Sequence, residues 1–237
     1  MNDPSNRTQA DGVRWHPFAT VDALVAAARA RVIASASEAI ELRGRFVIVL
    51  SGGNTPRALY RNLRDADTDW SRWNVYYGDE RCVAGHDPGR NSVMAGETLL
   101  DEVAIPRDQC HAIPGELGAE EAARAYAETI RDVGVFDLVL LGLGEDGHVA
   151  SLFPHATERR VEGNEDVVAV FDAPKPPPER VSLTAARLSR TRAALFLVSG
   201  ESKREAVRRW LERAPIPAAT IVPEAGVDVL IEAKLVA

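Results

Sequence analysis

The stretch FDLVLLGLGEDGHVASLFP, residues 136–154, opens as an apolar run and breaks at Gly142, Gly144 and Gly147. A short continuous apolar run that ends in glycines reads as a buried strand followed by a tight turn, the unit from which parallel α/β sheets are built. The glycine spacing is G-x-G-x-x-G, the pattern of a dinucleotide-binding turn. Glu145 and Asp146 stand between those glycines, where two carboxylates would repel an approaching pyrophosphate. The stretch is therefore either a cofactor loop or an active site.

The same unit recurs on both sides of it. RFVIVL (45–50) runs into SGGNTP, and WNVYYG (73–78) runs into DER. RVSLT (180–184), AALFLVSG (193–200) and VDVLIE (227–232) supply further strand candidates. Between them, Val21, Leu24, Val25, Ala28, Val32 and Ile33 recur at helical spacing, which predicts a helix over 20–43 with Thr20 as N-cap and its end before Gly44. A second helix follows SGG, capped by Thr55 and opened by Pro56, and further helical stretches cover 91–101, 118–132 and 201–213. Strands alternating with helices predict a mainly parallel, doubly wound, Rossmann-like sheet with helices on both faces, in a single domain with room for a small lobe. Residues 1–17 read as a polar N-terminal segment and 18–237 as the domain, and the prolines of DAPKPPPER (172–180) mark a linker.

Composition narrows the partners. A formal charge of −7 over 237 residues argues against nucleic acid, and aromatics at 6% are too sparse for a base-stacking platform. No run approaches the ~18–20 apolar residues that span a bilayer, and the first twelve residues lack the apolar core of a secretory signal. A cytoplasmic location with no membrane partner is expected. Cys82 and Cys110 form no C-x-x-C pair and stand near no histidine at ligand spacing, so neither a disulfide framework nor a zinc site is indicated. Cys82 reads as a packing residue, and His16, His86, His111 and His155 have no partner at readable spacing.

In doubly wound sheets, ligands bind beyond the carboxyl ends of the strands, which singles out SGGNT (51–55), DER (79–81), GLGEDGH (142–148) and SGESK (199–203). SGGNTP combines small residues with a helix start whose free N–H groups and dipole suit an anion, a phosphate above all; a ligand-free turn is the alternative. Lys203 can add charge to the same anion. Asp79, Glu80 and Arg81 form either a water-positioning and anion-facing group or a surface ion pair. Asp146 and His148, two apart across Gly147, are candidates for one pocket, with the imidazole as general base and the carboxylate orienting substrate or ring.

Together, SGGNTP, GDER, GLGEDGHVASLFP, RVSLT and SGESK resemble the 6-phosphogluconolactonase family, within the glucosamine/galactosamine-6-phosphate isomerase superfamily, and occur in the family's order from about residue 18 onward. The GxDGHxASLFP element is the specific part. The resemblance implies hydrolysis of 6-phospho-D-glucono-1,5-lactone in the oxidative pentose phosphate pathway, with no metal and no cofactor. It implies a small sugar-phosphate lactone as partner and a monomer or small homo-oligomer. By motif position, His148 would activate water against the lactone carbonyl, Asp79 and Asp146 would hold sugar hydroxyls and orient the site, and Arg81 would stabilise negative charge. Ser51, Gly52, Gly53 and Thr55, with Arg180 and Lys203, would hold the phosphate, either arginine being able to face it; Asn91 and Gly144 complete the binding set. The chain departs from the family at Arg90, which precedes Asn91 where a serine is usual. Two rivals remain. Glucosamine-6-phosphate deaminases follow DGH with a segment ending Asn-Glu-Pro, and this chain has Phe153 before Pro154 in place of that acid. A non-catalytic sugar-phosphate sensor would normally carry a DNA-binding segment, for which the sequence shows no helix-turn-helix.

Overall fold

The computed structural model describes residues 12–236. Its centre is a six-stranded, all-parallel sheet in the order β1-β10-β9-β5-β2-β3, built from β1 (Val13–Phe18), β2 (Phe46–Leu50), β3 (Trp73–Tyr77), β5 (Leu138–Gly142), β9 (Ala194–Val198) and β10 (Val227–Glu232). FVIVL, ALFLV and VDVLIE are buried along their whole length, as strands must be when helices cover both faces of a sheet. A smaller antiparallel sheet, β4-β8-β7-β6, is formed by β4 (Asp79–Arg81), β6 (Thr157–Arg160), β7 (Val167–Phe171) and β8 (Arg180–Leu183).

The helices are α1 (Val21–Arg43), α2 (Asn54–Leu63), α3 (Asn91–Ala95), α4 (Ala119–Ile130), α5 (Ala185–Ser189) and α6 (Arg204–Leu211). The first has the expected ends: Thr20 accepts from the Ala23 N–H at 3.2 Å, and the left-handed Gly44 returns its N–H to Ile40 O at 2.9 Å. On α6, Trp210 meets Trp15 of β1 and Phe196 of β9 edge-on, which ties the last helix to the sheet.

Several expectations need correction. The N-terminal boundary is earlier than residue 18: Val13–Phe18 pairs with Val227–Glu232, while residues 1–11 lie outside the described residues. Arg14, His16 and Pro17 make this strand look polar, yet the Arg14 and His16 side chains both hydrogen-bond Asp228 of the neighbouring strand, at 2.9 and 2.6 Å. RVSL (180–183) is a strand, but of the antiparallel sheet, where it pairs with DER. DER is thus not a loop after a strand but a strand itself. Thr55 does not cap α2; Gly53 holds that position, the helix begins at Asn54, and Pro56 is its third residue. The helix over 91–101 changes to a wider π turn at Gly96–Leu100. β6 escapes periodicity because all four of its residues are exposed.

The sheet order places one feature that matters for function. From β2 the chain crosses to β3 on one side, whereas β5 lies on the other and leads to β9, so the order reverses between β2 and β5. Loops leaving the carboxyl ends of strands at such a reversal diverge and leave a crevice. SGGNT leaves β2 there and GEDGH leaves β5.

Candidate active site

The crevice opens into a cavity of about 610 Å³ that receives Ser51–Thr55 from β2, Gly144 and His148 from β5, and Ser199 and Lys203 from β9. The antiparallel sheet closes the other side with Asp79 and Arg81 of β4, Arg180 of β8, and Asn91 at the start of α3. Every residue that the resemblance assigns to the site lines this cavity except Asp146, and Glu80, also a candidate by position, does not line it.

The SGGNT turn is anchored from below. The hydroxyl of Tyr60, buried on α2, donates to Ser51 O at 2.7 Å and accepts from Ser51 N at 3.0 Å, which fixes the turn to the helix it begins. Gly52 faces Asn91 so closely that a Cβ would lie 2.0 Å from Asn91 Oδ1. Thr55, freed from capping, shares a 2.6 Å hydrogen bond with Ser199 Oγ and so ties the β2 and β9 loops together.

DER divides its labour as strand alternation requires. Asp79 and Arg81 face the cavity, and Glu80 points into the protein, where its carboxylate accepts from the N–H groups of Arg81, Asn91 and Ser92 at 2.7–2.9 Å. Glu80 therefore caps α3 and holds Asn91 in place. Asn91 Nδ2 donates to Asp79 O at 2.9 Å and to Asp79 Oδ1 at 3.1 Å, while Ser151 Oγ donates to Asp79 Oδ2 at 2.5 Å. Arg90, the departure from the family pattern, turns away from the cavity. It is buried, donates to Glu116 and to Ile113 O at 2.5 Å each, and lies 3.6 Å from Glu80. Its charge balances the buried carboxylate, so its role is in the scaffold.

The loop after β5 brings Asp146 and His148 together. Gly144 N donates to His148 O at 2.8 Å and Gly147 N to Gly144 O at 3.1 Å, forming a tight turn braced from outside by Arg209 Nη1 on Asp146 O and by Ala218 N on Gly147 O. The C-terminal segment, which shows no motif in the sequence, thus supplies both this brace and β10. A Cβ on Gly144 would lie 2.0 Å from Nδ1 of His148, so only glycine lets the ring fold back over the turn. Asp146 Oδ1 meets that Nδ1 at 2.5 Å and accepts from the His148 N–H at 3.1 Å. Asp146 therefore orients the ring, and the sugar-hydroxyl role implied for it by the resemblance finds no support in its placement. Phe153 packs on the imidazole with ring centroids 4.4 Å apart and lines the cavity.

Burial pushes the His148 pKa below its ordinary value, outweighing the pull of Asp146 and Asp79 in the other direction. Burial also acts to raise the pKa of Asp146, but the N–H and the ring of His148 hold it below the usual carboxylate range. The shift favours a neutral imidazole at neutral pH, with Nδ1 engaged by Asp146. Cys82 is no rival nucleophile, because burial drives its thiol up to about 12.

Four cations line the cavity: Arg81, Lys175, Arg180 and Lys203. Arg180 is buried and spends Nε on Pro177 O and Nη2 on the carbonyls of Lys175 and Pro176 at 3.0–3.3 Å. Arg81 donates Nη1 to Gly89 O. Lys175 and Ser151 are absent from the sequence-derived set. Lys175 sits in the stretch read as a linker, which is in fact a strap along the cavity wall, and Ser151 carries no local signal because its partner lies 72 positions away. Among the described residues no group of three or more His, Cys, Asp or Glu side chains is placed to hold a metal ion.

Residues 19–230 match the family described as glucosamine-6-phosphate isomerases/6-phosphogluconolactonase. The chain is 39% identical to the 6-phosphogluconolactonase of Mycobacterium leprae over 222 residues, covering 86% of this chain and 90% of that protein. It is 37% identical to the human 6-phosphogluconolactonase, with 78% and 76% of the two chains covered. Among solved structures, 6-phosphogluconolactonase from Thermotoga maritima superposes with a TM-score of 0.80 at 27% identity over 93% of this chain and 98% of the other. A monomeric glucosamine-6-phosphate deaminase shares the fold alone, with a TM-score of 0.79 at 21% identity over 94% and 98% of the two chains. On its sequence and its architecture, the chain belongs to the glucosamine-6-phosphate isomerase/6-phosphogluconolactonase family.

Proposed function

We propose that this protein hydrolyses 6-phospho-D-glucono-1,5-lactone to 6-phospho-D-gluconate, as its relatives' names indicate for them. The observation that carries this reading is the pairing of His148 Nδ1 with Asp146 at 2.5 Å on the wall of a cavity rich in cations. His148 Nε2 takes a proton from water as the water oxygen attacks the lactone C1 carbonyl. The resulting oxyanion lies within a site whose positive charge includes Arg81. Its collapse breaks the bond between C1 and the ring oxygen, and the imidazolium returns its proton to that oxygen, which leaves as the C5 hydroxyl. Asp79, held on both carboxylate oxygens by Ser151 and Asn91, is a rigid acceptor for sugar hydroxyls. The phosphate falls to the SGGNT turn at the start of α2, with Lys203 and Arg180 adding charge.

The reading places the enzyme in the cytoplasm and requires no metal or organic cofactor; no helix among the described residues is long and apolar enough to cross a membrane. Phe153 weighs against deamination. A phenyl ring packs on the imidazole where a deaminase needs an acid for ring opening and proton transfer. The test is lactone hydrolysis measured against the spontaneous background, with ammonia release from glucosamine 6-phosphate assayed in parallel. Acceleration of the first and none of the second is expected; the reverse result overturns the reading.

A further inference from the structure

Lys175 and Glu145 meet across the cavity mouth, with Nζ 3.1 Å from Oε2. Glu145 belongs to the turn that carries His148, and Lys175 to the proline-rich strap 172–179. Both line the cavity. The strap is not free to move at random, because Arg180 grips the carbonyls of Lys175, Pro176 and Pro177 and so aims the lysine at the cavity.

Glu145 is bound as a ligand would be. Ser202 and Lys203 line the same cavity wall beside it, and Lys175 together with these two holds the Glu145 carboxyl below its ordinary pKa. One ammonium in contact with the carboxylate, with a second ammonium and a hydroxyl lining the same cavity, make a cradle for an anion. The Lys175–Glu145 pair is half exposed on each side, and exposed pairs of this kind contribute little. A phosphate dianion carries twice the charge of a carboxylate and three acceptor oxygens, so it competes successfully for the same donors.

We propose that Glu145 is an internal competitor occupying an anion cradle formed by Lys175, Ser202 and Lys203, and that the phosphate group of the substrate displaces it, making Lys175 a further phosphate ligand. The inference rests on the sugar-phosphate reading above for the identity of the anion, and on the cradle itself for its chemistry.

A double-mutant cycle tests it. Lys175→Met should raise KM for the phosphorylated lactone about ten- to a hundredfold, and Glu145→Gln should lower it severalfold. In the Lys175→Met background, Glu145→Gln should lose most of that benefit, because Lys175 is the group the competitor contacts directly. An equal gain from Glu145→Gln in both backgrounds would mean simple repulsion and overturn the proposal, as would an unchanged KM in Lys175→Met. Titration of the same four proteins with inorganic phosphate, followed by calorimetry, reads the cradle without turnover. If the wild type binds phosphate and the cycle shows the same coupling while lactone hydrolysis is absent, the functional reading fails and the cradle stands.

Discussion

Ser151 Oγ donates to Asp79 Oδ2 at 2.5 Å, and neither residue has more than marginal exposure. The contact joins the loop after β5 to the first residue of the antiparallel sheet, and with the Ser151 N–H donating to Ser182 Oγ of β8 at 3.3 Å it ties the two sides of the cavity together. Ser151→Ala should leave that oxygen without its donor, costing about 1–3 kcal/mol of stability in denaturant unfolding and lowering kcat/KM. Unchanged values of both would remove Ser151 from the support of the site.

His148→Asn should lower kcat by about 10² to 10⁴ while the protein stays folded, the usual range for loss of a general base. Near-normal turnover, measured after subtraction of the spontaneous hydrolysis, would exclude the imidazole.

The pH profile follows from the direction of the His148 shift. The base must be neutral, and burial holds its pKa below the ordinary value of 6.5, so it stays neutral to lower pH. The rate kcat/KM should therefore rise with pH through an acid limb centred below that value and be level at neutrality. Asp146→Asn removes the nearest charge that favours the imidazolium, so it should move the limb to still lower pH while reducing kcat through loss of ring orientation. A limb that moves upward in this variant contradicts the assigned roles.

Gly144→Ala places a Cβ where His148 Nδ1 stands, at 2.0 Å, and the ring is easier to displace than the sheet-borne turn. We expect a thermal unfolding curve close to that of the wild type with kcat reduced about 10² or more, as for loss of the base itself. Full activity would show that the ring reaches its position from another backbone path.

Lys203→Ala should weaken use of the phosphorylated lactone relative to unphosphorylated gluconolactone about ten- to a hundredfold, the worth of a charge-assisted contact of roughly 1.5–3 kcal/mol. Equal losses on both substrates would assign the lysine to the fold or to the chemistry instead of the phosphate.

The sequence by itself determined the parallel core and most of the site. Apolar runs such as FVIVL and LVLLG, each ending in glycines, encode buried strands with tight turns, and ligand loops follow at the carboxyl ends by the geometry of crossover connections. These signals are local, carried by residues a few positions apart. The antiparallel sheet was not legible in the same way: β4 is three residues long, β6 is exposed throughout, and β8 shows the apolar pattern of either sheet. Which strand pairs with which is decided by packing, not by periodicity. The partners of the charged groups also lie far apart in the chain, Ser151 being 72 positions from Asp79, Asp228 212 from His16 and Lys175 30 from Glu145. Only the folded chain brings these groups within hydrogen-bonding distance, because electrostatic contacts depend on separation in space and leave no spacing in the sequence. Tertiary structure alone therefore decided that Arg90 pairs with Glu80 and Glu116 away from the cavity and that the proline-rich stretch forms a wall of it.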